Sequence, residues 1–242
     1  MPSVPDLTQN CLLAALDRED QERLLPLLEL VYLEQGDILY EPSQPLHYAY
    51  FPTTSIVSLI YVTEDGSCSE NAMIGCFGMV GVALFMGGET MPNQAVVQSA
   101  GYAYRLKAQL LKKEFNRSVA LHDLLLRYIQ ALFTQIAQIA ACNRHHSAEQ
   151  RLCRWLLLSL DRTPINELDM THEMIAKILG VRREGITQVA GKLQAEGLID
   201  YSRGHIEVRD RPGLEARSCE CYKVIKTEYD RLLTPQQNTQ QQ

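Results

Sequence analysis

Between residues 182 and 193 the side chains divide by chemistry with a helical period. Ile186, Val189, Ala190 and Leu193 stand at i, i+3, i+4 and i+7, while Arg183, Glu184, Thr187, Gln188 and Lys192 fall on the opposite side. The outer groups carry hydrogen-bonding chemistry suited to base edges. A guanidinium can place two bonds on O6 and N7 of guanine, a carboxylate can accept from N4 of cytosine, and a carboxamide can engage N6 and N7 of adenine. Arg183, Glu184 and Gln188 are therefore the candidate base readers, and Arg182, Thr187 and Lys192 are candidates for supporting contacts. A mixed-charge helix face can equally be a solvated surface, so the neighbouring elements have to decide between the two readings.

Those neighbours have a definite pattern. Thr171 suits a helix N-cap, where its hydroxyl can accept from an early backbone N–H. The helix that follows hides Ile175, Ile178 and Leu179 and stops at Gly180. A short turn then leads to the second helix, and two short helices with matched apolar stripes predict a helix-turn-helix. After Gly197, residues 198–201 and 205–208 alternate as strands around Ser202, Arg203 and Gly204, a hairpin placed as a wing. Ser202 and Arg203, with Thr171, join the supporting set, because phosphate contacts add affinity without specifying sequence. Ahead of this unit, residues 147–160 predict a helix with Leu152, Trp155, Leu156 and Leu158 inward and Glu149, Arg151 and Arg154 toward solvent, ended by Pro164. Residues 166–170, from Asn166 to Met170, read as a short extended piece.

The rest of the chain supplies a different texture. Residues 7–30 read as short amphipathic helices. From Val31 to about Leu106, short runs of Val, Ile, Tyr and Leu are punctuated by turn formers, including an Asp65-Gly66 hairpin signal, which predicts an antiparallel barrel or jelly roll. Residues 109–143 contain no Gly or Pro and carry Leu121, Leu124, Leu125, Tyr128, Leu132, Ile136 and Ile139 in a three-and-four pattern, which predicts one long helix. Its stripe either meets a second copy of the chain or packs on its own barrel, and its length favours the second copy. Residues 143–147 are polar and read as a hinge; His145 and His146 are adjacent and would point in different directions on a helix, so a linker is favoured over a metal site. The expected architecture is α+β: an N-terminal barrel over residues 1–108, a long dimerisation helix and hinge over 109–146, a winged helix-turn-helix over 147–215, and a C-terminal helix with a polar tail over 216–242.

Composition bounds the function. The chain has 242 residues and a formal charge of -6, so an interface with phosphates requires a local basic face rather than a basic chain. No basic segment followed by an apolar stretch opens the sequence, and no uninterrupted apolar run predicts a membrane span, so a cytoplasmic protein without membrane contact is expected. The cysteines at 11, 68, 76, 142, 153, 219 and 221 are odd in number and scattered, as expected of reduced thiols. Cys219 and Cys221 could share a metal or oxidise, but the sequence shows no third and fourth ligand beside them, so no metal is expected. Nucleophile elbows, phosphate-cradling glycine loops and metal-ligand helix motifs are absent from the sequence, which speaks against an enzyme. The Gln-rich end from Gln236 to Gln242 reads as a polar, disordered tail.

The segments THEMIAKILGVRREGIT at 171–187 and NRHHSAEQRL at 143–152 closely resemble the Crp/Fnr superfamily of bacterial regulators, and the likeness runs through almost the whole chain. The resemblance implies a cyclic-nucleotide-binding-like barrel, a dimerisation helix and a winged helix acting as a homodimer on a near-palindromic double-stranded operator, with RNA polymerase as a further partner. The family's base-reading Arg-Glu pair falls on Arg183 and Glu184, and its further reader, often Arg, falls on Gln188. Members that bind cyclic nucleotides use a Gly-Glu-Leu-Gly-like segment and an Arg beside Ser or Thr. Here the matching stretches are Gly78-Met79-Val80-Gly81 and Met91-Pro92-Asn93-Gln94-Ala95, without the carboxylate or the cation. Cyclic AMP in the standard pose is therefore not expected, Met79, Asn93 and Gln94 receive no binding role, and the effector is unassigned. An iron–sulfur centre of the family would need clustered cysteines near the N-terminus, where only Cys11 stands. A ligand- or redox-sensing module acting through a protein partner is the alternative function.

Overall fold

Asn10 organises the start of the fold. Its side-chain oxygen accepts from the backbone N–H groups of Leu12 and Leu13, capping α1 (Cys11–Ala14), and its amide donates to the carbonyls of Pro52 and Gly78, 2.8 and 3.0 Å away. One buried side chain thus ties the first helix to two later segments. The computed structural model describes residues 6–163 and 167–233; Pro164, Asn166 and the Gln-rich tail lie outside the described residues.

After α2 (Arg18–Leu24), capped by Asp17, come β1 (Glu29–Leu33), β2 (Ile38–Tyr40), β3 (Tyr48–Pro52), β4 (Ile56–Val62) and β5 (Cys68–Ile74), then α3 (Ala83–Met86), β6 (Gln94–Ser99) and β7 (Gly101–Lys107). The strands form two antiparallel sheets in the orders β1-β7-β3 and β2-β6-β4-β5. The β4–β5 hairpin turns through Gly66, at φ 81°, where the sequence signalled a turn. The sheets do not close into a barrel, and their two-sheet arrangement fits the other form of the expectation, a jelly roll. Strands of at most seven residues give little length for the tilt and stagger that closure demands, and the two sheets instead share one buried core containing Phe51, Ile56, Val57, Val97 and Leu106.

The expected single helix is two. α4 (Ala108–Arg117) ends at Ser118, whose extended backbone (φ -99°, ψ 115°) starts α5 (Val119–His145) with its hydroxyl accepting from the Leu121 N–H. The break is stabilised from outside, because Ser118 also donates to the buried carboxylate of Asp20. Within α5, Leu121, Leu124, Leu125, Tyr128, Leu132 and Ile139 are buried in the chain's own core, so the stripe read as a contact with a second copy is mostly intrachain. By length and composition α5 could cross a bilayer, yet it packs on β5 and on α10 (Glu220–Leu233).

α5 continues to His145, which leaves only His146 and Ser147 between it and α6 (Ala148–Asp161) in place of a five-residue hinge. A reciprocal capping box between Ser147 and Gln150 starts α6. Arg151 and Arg154, expected in solvent, are 8% and 2% exposed, because α6 is covered by α10 and by the helices that follow. Arg162, after α6, donates to the Met73 and Leu158 carbonyls and to Gln135, joining α6 to β5 and α5. The chain continues as β8 (Glu167–Asp169), α7 (His172–Leu179), α8 (Arg183–Ala195), β9 (Ile199–Ser202), β10 (His205–Val208), α9 (Arg211–Arg217) and α10, with a small sheet in the order β8-β10-β9.

Candidate nucleic-acid interface

α7 and α8 form the helix-turn-helix, and the local sequence explains each boundary. Thr171 caps α7 by accepting from the Met174 N–H at 3.2 Å, and Gly180 ends it in the left-handed region at φ 60°. Ile175, Ile178 and Leu179 of α7 and Ile186, Ala190 and Leu193 of α8 are buried, so both helices turn polar faces outward. On α8 that outward face presents Arg183, Glu184, Thr187 and Gln188, all exposed. Among the described residues, the side chains of Arg183, Glu184 and Gln188 form no hydrogen bond or ion pair. Arg182 is the exposed N-cap residue, with no side-chain cap bond of its own.

The wing stands beside the start of α8. β9 and β10 pair Ser202 with His205, so Arg203 and Gly204 form a two-residue hairpin turn, with φ 52° and 88°. Positive φ at both positions is what a type I′ turn requires, and it is unfavourable for Arg. Ser202 and Arg203 are both exposed. A cleft between wing and helices is lined by Thr171, His172, Glu173, Arg183, Tyr201 and Arg203, bringing two cations of separate elements to one notch.

Two features of this face were not legible in the residue pattern. His172 stacks on Tyr201, ring centroids 4.2 Å apart, and its Nδ1 lies 3.0 Å from Thr187 Oγ1, so one ring ties α7, α8 and the wing together. Burial, with the nearby Arg183 charge, holds the His172 pKa below its ordinary value. A helix N1 histidine followed by a strand tyrosine is the only signal the sequence offers. Lys192 has an internal partner: its ammonium lies 2.7 Å from Glu149, a carboxylate shared with Arg217, which ties α8 to α6 while the lysine side chain stays 49% exposed.

The positions that the resemblance aligns with a cyclic-nucleotide pocket are occupied by the chain's own contacts. Met79 is fully buried and its carbonyl accepts from the Tyr128 hydroxyl at 2.8 Å; Asn93 donates to Tyr40, and Gln94 donates to Glu41. A separate apolar cavity lies between the larger sheet and α7, lined by Ser58, Ile60, Glu70, Met170, Met174 and Ile178. Gln35 bridges the same boundary, donating to the carbonyls of Gln98 and Asp169.

Residues 150–217, which span α6 to α9, match the Crp-like helix-turn-helix domain. The transcriptional regulator SdrP of Thermus thermophilus is 28% identical over 199 residues, 77% of this chain and 93% of that protein. The 150–217 part of the chain is a Crp-like helix-turn-helix domain. The global nitrogen regulator of Synechococcus elongatus is 23% identical over 81% of this chain and 92% of its own, so the likeness extends across both halves of the chain. The structure of FixK2 from Bradyrhizobium japonicum, 16% identical, superposes with a TM-score of 0.65, covering 79% of this chain and 98% of that one. These likenesses agree with the winged helix and with an N-terminal half built of antiparallel sheets.

Proposed function

We propose that this chain is a Crp/Fnr-type regulator and acts as a cytoplasmic homodimer that binds a near-palindromic operator, with Arg183, Glu184 and Gln188 reading bases and Thr171, Arg182, Thr187, Ser202 and Arg203 supporting the duplex. The observation that carries this reading is the outward face of α8, whose three readers have no hydrogen-bond or ion-pair partner among the described residues and stand next to the exposed Arg203 at the wing tip. Relatives named as a transcriptional regulator and a global nitrogen regulator support it. A role with RNA polymerase follows from the same relationship, and no catalytic activity is assigned.

The second copy is expected along α5. Val119, Leu126 and Phe133 are 75%, 47% and 64% exposed and recur every seven residues, with half-buried Ile129 between the last two. That is a coiled-coil seam separate from the intrachain stripe. The signal is a ligand other than cyclic AMP in the standard pose, since Met79 and Asn93 are engaged internally and Gln94 pairs with acidic Glu41. A ligand in the cavity above α7 would touch both sheet and helix, and its unequal affinity for two placements of α7 would set the DNA-competent fraction.

Selection of random duplex DNA by the purified protein tests the reading, followed by binding of the enriched site to Arg183→Ala and Glu184→Ala variants. Each substitution is expected to weaken the enriched site by about 1–3 kcal/mol, roughly 5- to 150-fold, and to relax selectivity at its base. Folded variants that bind with unchanged selectivity would instead favour a winged helix that serves a protein partner.

A further inference from the structure

Cys142 lies in the last turn of α5, His146 is the extended residue that caps that helix with its backbone N–H donating to the Cys142 carbonyl, and Cys219 and Cys221 flank the first residue of α10. The fold brings all four together. Their ligand-type atoms lie within 4.8 Å of one another; Cys142 Sγ is 3.5 Å from Cys219 Sγ, and Cys221 Sγ is 3.6 Å from His146 Nδ1. A tetrahedral ion with bonds of about 2.0 to 2.3 Å holds its ligands roughly 3.3 to 3.8 Å apart, so a small contraction of this cluster completes a coordination shell. The grouping is too tight for a four-iron cluster, whose thiolates bind separate irons.

Two surrounding features fit an ion. The other ring nitrogen of His146, Nε2, lies 3.3 Å from the Glu220 carboxylate, the arrangement that orients a metal-bound imidazole and leaves Nδ1 for the ion. The three cysteines are 0%, 4% and 2% exposed, and two buried guanidinium groups, Arg151 and Arg154, lie within Coulombic reach of Cys142 with their Nε atoms unpaired. Three thiolates with one divalent cation carry a net negative charge, which those cations would neutralise; three neutral thiols carry none.

We propose that Cys142, His146, Cys219 and Cys221 bind a single zinc-class divalent ion in a tetrahedral Cys3His site that joins the end of α5 to the start of α10. Binding releases one proton from each cysteine thiol to solvent and leaves the imidazole neutral, with no electron transferred. The ion closes a loop that contains the whole winged helix, from Ser147 to Ser218, and fixes its two ends to each other. The site stands whether or not that unit binds DNA.

Titration of the reduced, full-length protein with Co2+ alone, and then with Zn2+, tests the proposal. The expected result is one ion per chain, with the intense ligand-field and thiolate-to-cobalt bands of a tetrahedral sulfur-rich site, bleached by Zn2+. Cys142→Ser and Cys219→Ser abolish these bands and Cys68→Ser, outside the cluster, leaves them. Glu220→Gln, an exposed substitution that leaves packing intact, weakens affinity about ten- to a hundredfold. Absence of stoichiometric uptake, a weak octahedral spectrum, bands that survive both Ser variants, or a Cys142–Cys219 disulfide forming in protein that takes up no ion would each overturn it.

Discussion

Arg203 occupies a left-handed turn position at the wing tip that Asn or Gly would fill at lower conformational cost. Arg203→Asn should therefore hold or slightly raise thermal stability while weakening DNA binding evenly across sequences and reducing the salt slope by about one. Stability and salt-dependent binding measured together check it, since a loss of stability would mean the arginine packs at the tip. Glu70 belongs to the same scale. Burial pushes its carboxyl up to about 7 from 4.5 despite the Ser58 hydroxyl and the charges of Arg154 and Arg162. Between those values the folded chain keeps a proton that the unfolded chain has released, so this stabilisation is full below the lower value and is lost as pH rises through the higher one. Glu70→Gln, which mimics the protonated acid, should match the parent near about pH 5. Near about pH 8 it should be more stable by on the order of 2 kcal/mol, roughly 5 °C. A stability difference that stays flat with pH would contradict the argument.

α5 carries two apolar stripes, and only one of them was legible in advance. The pattern at Leu121, Leu124, Leu125, Tyr128 and Leu132 stood out because it is nearly continuous, and the structure spends it on the chain's own core. The thinner seam of Val119, Leu126 and Phe133 is masked in sequence by that richer one. Phe133→Glu is expected to convert a dimer into monomers in sedimentation equilibrium while keeping helical content, because its ring is 64% exposed within one chain. An unchanged mass would place the second copy elsewhere. The break at Ser118 was hidden for another reason: a serine N-cap is only a weak local signal, and the bond to Asp20 that reinforces it comes from about a hundred residues earlier. α7, α8 and the wing were readable almost residue by residue, since their stops at Gly180 and Gly204 and their stripes are local signals.

Across the whole molecule, what escaped the sequence is the meeting of distant segments. Cys142 and His146 gave no sign of facing Cys219 and Cys221, and Lys192 gave none of pairing with Glu149, because each contact depends on how α6 and α10 pack. The same packing sets the function. Arg162 fastens α6 to β5 and α5, while the sheet-side cavity opens directly onto α7, so the N-terminal half meets the winged helix through packed contacts as well as through the chain connection. The central claim is that two copies of α8 read two half-sites in fixed register about one helical turn apart. Its most direct test is the affinity for an enriched palindrome whose half-site spacing is lengthened by about half a turn, roughly five base pairs. The expected result is a fall to the non-specific level, with affinity recovering when a full turn is inserted only if the dimer can stretch. Affinity unchanged by the half-turn insertion would contradict the account, since it would mean that each winged helix binds alone.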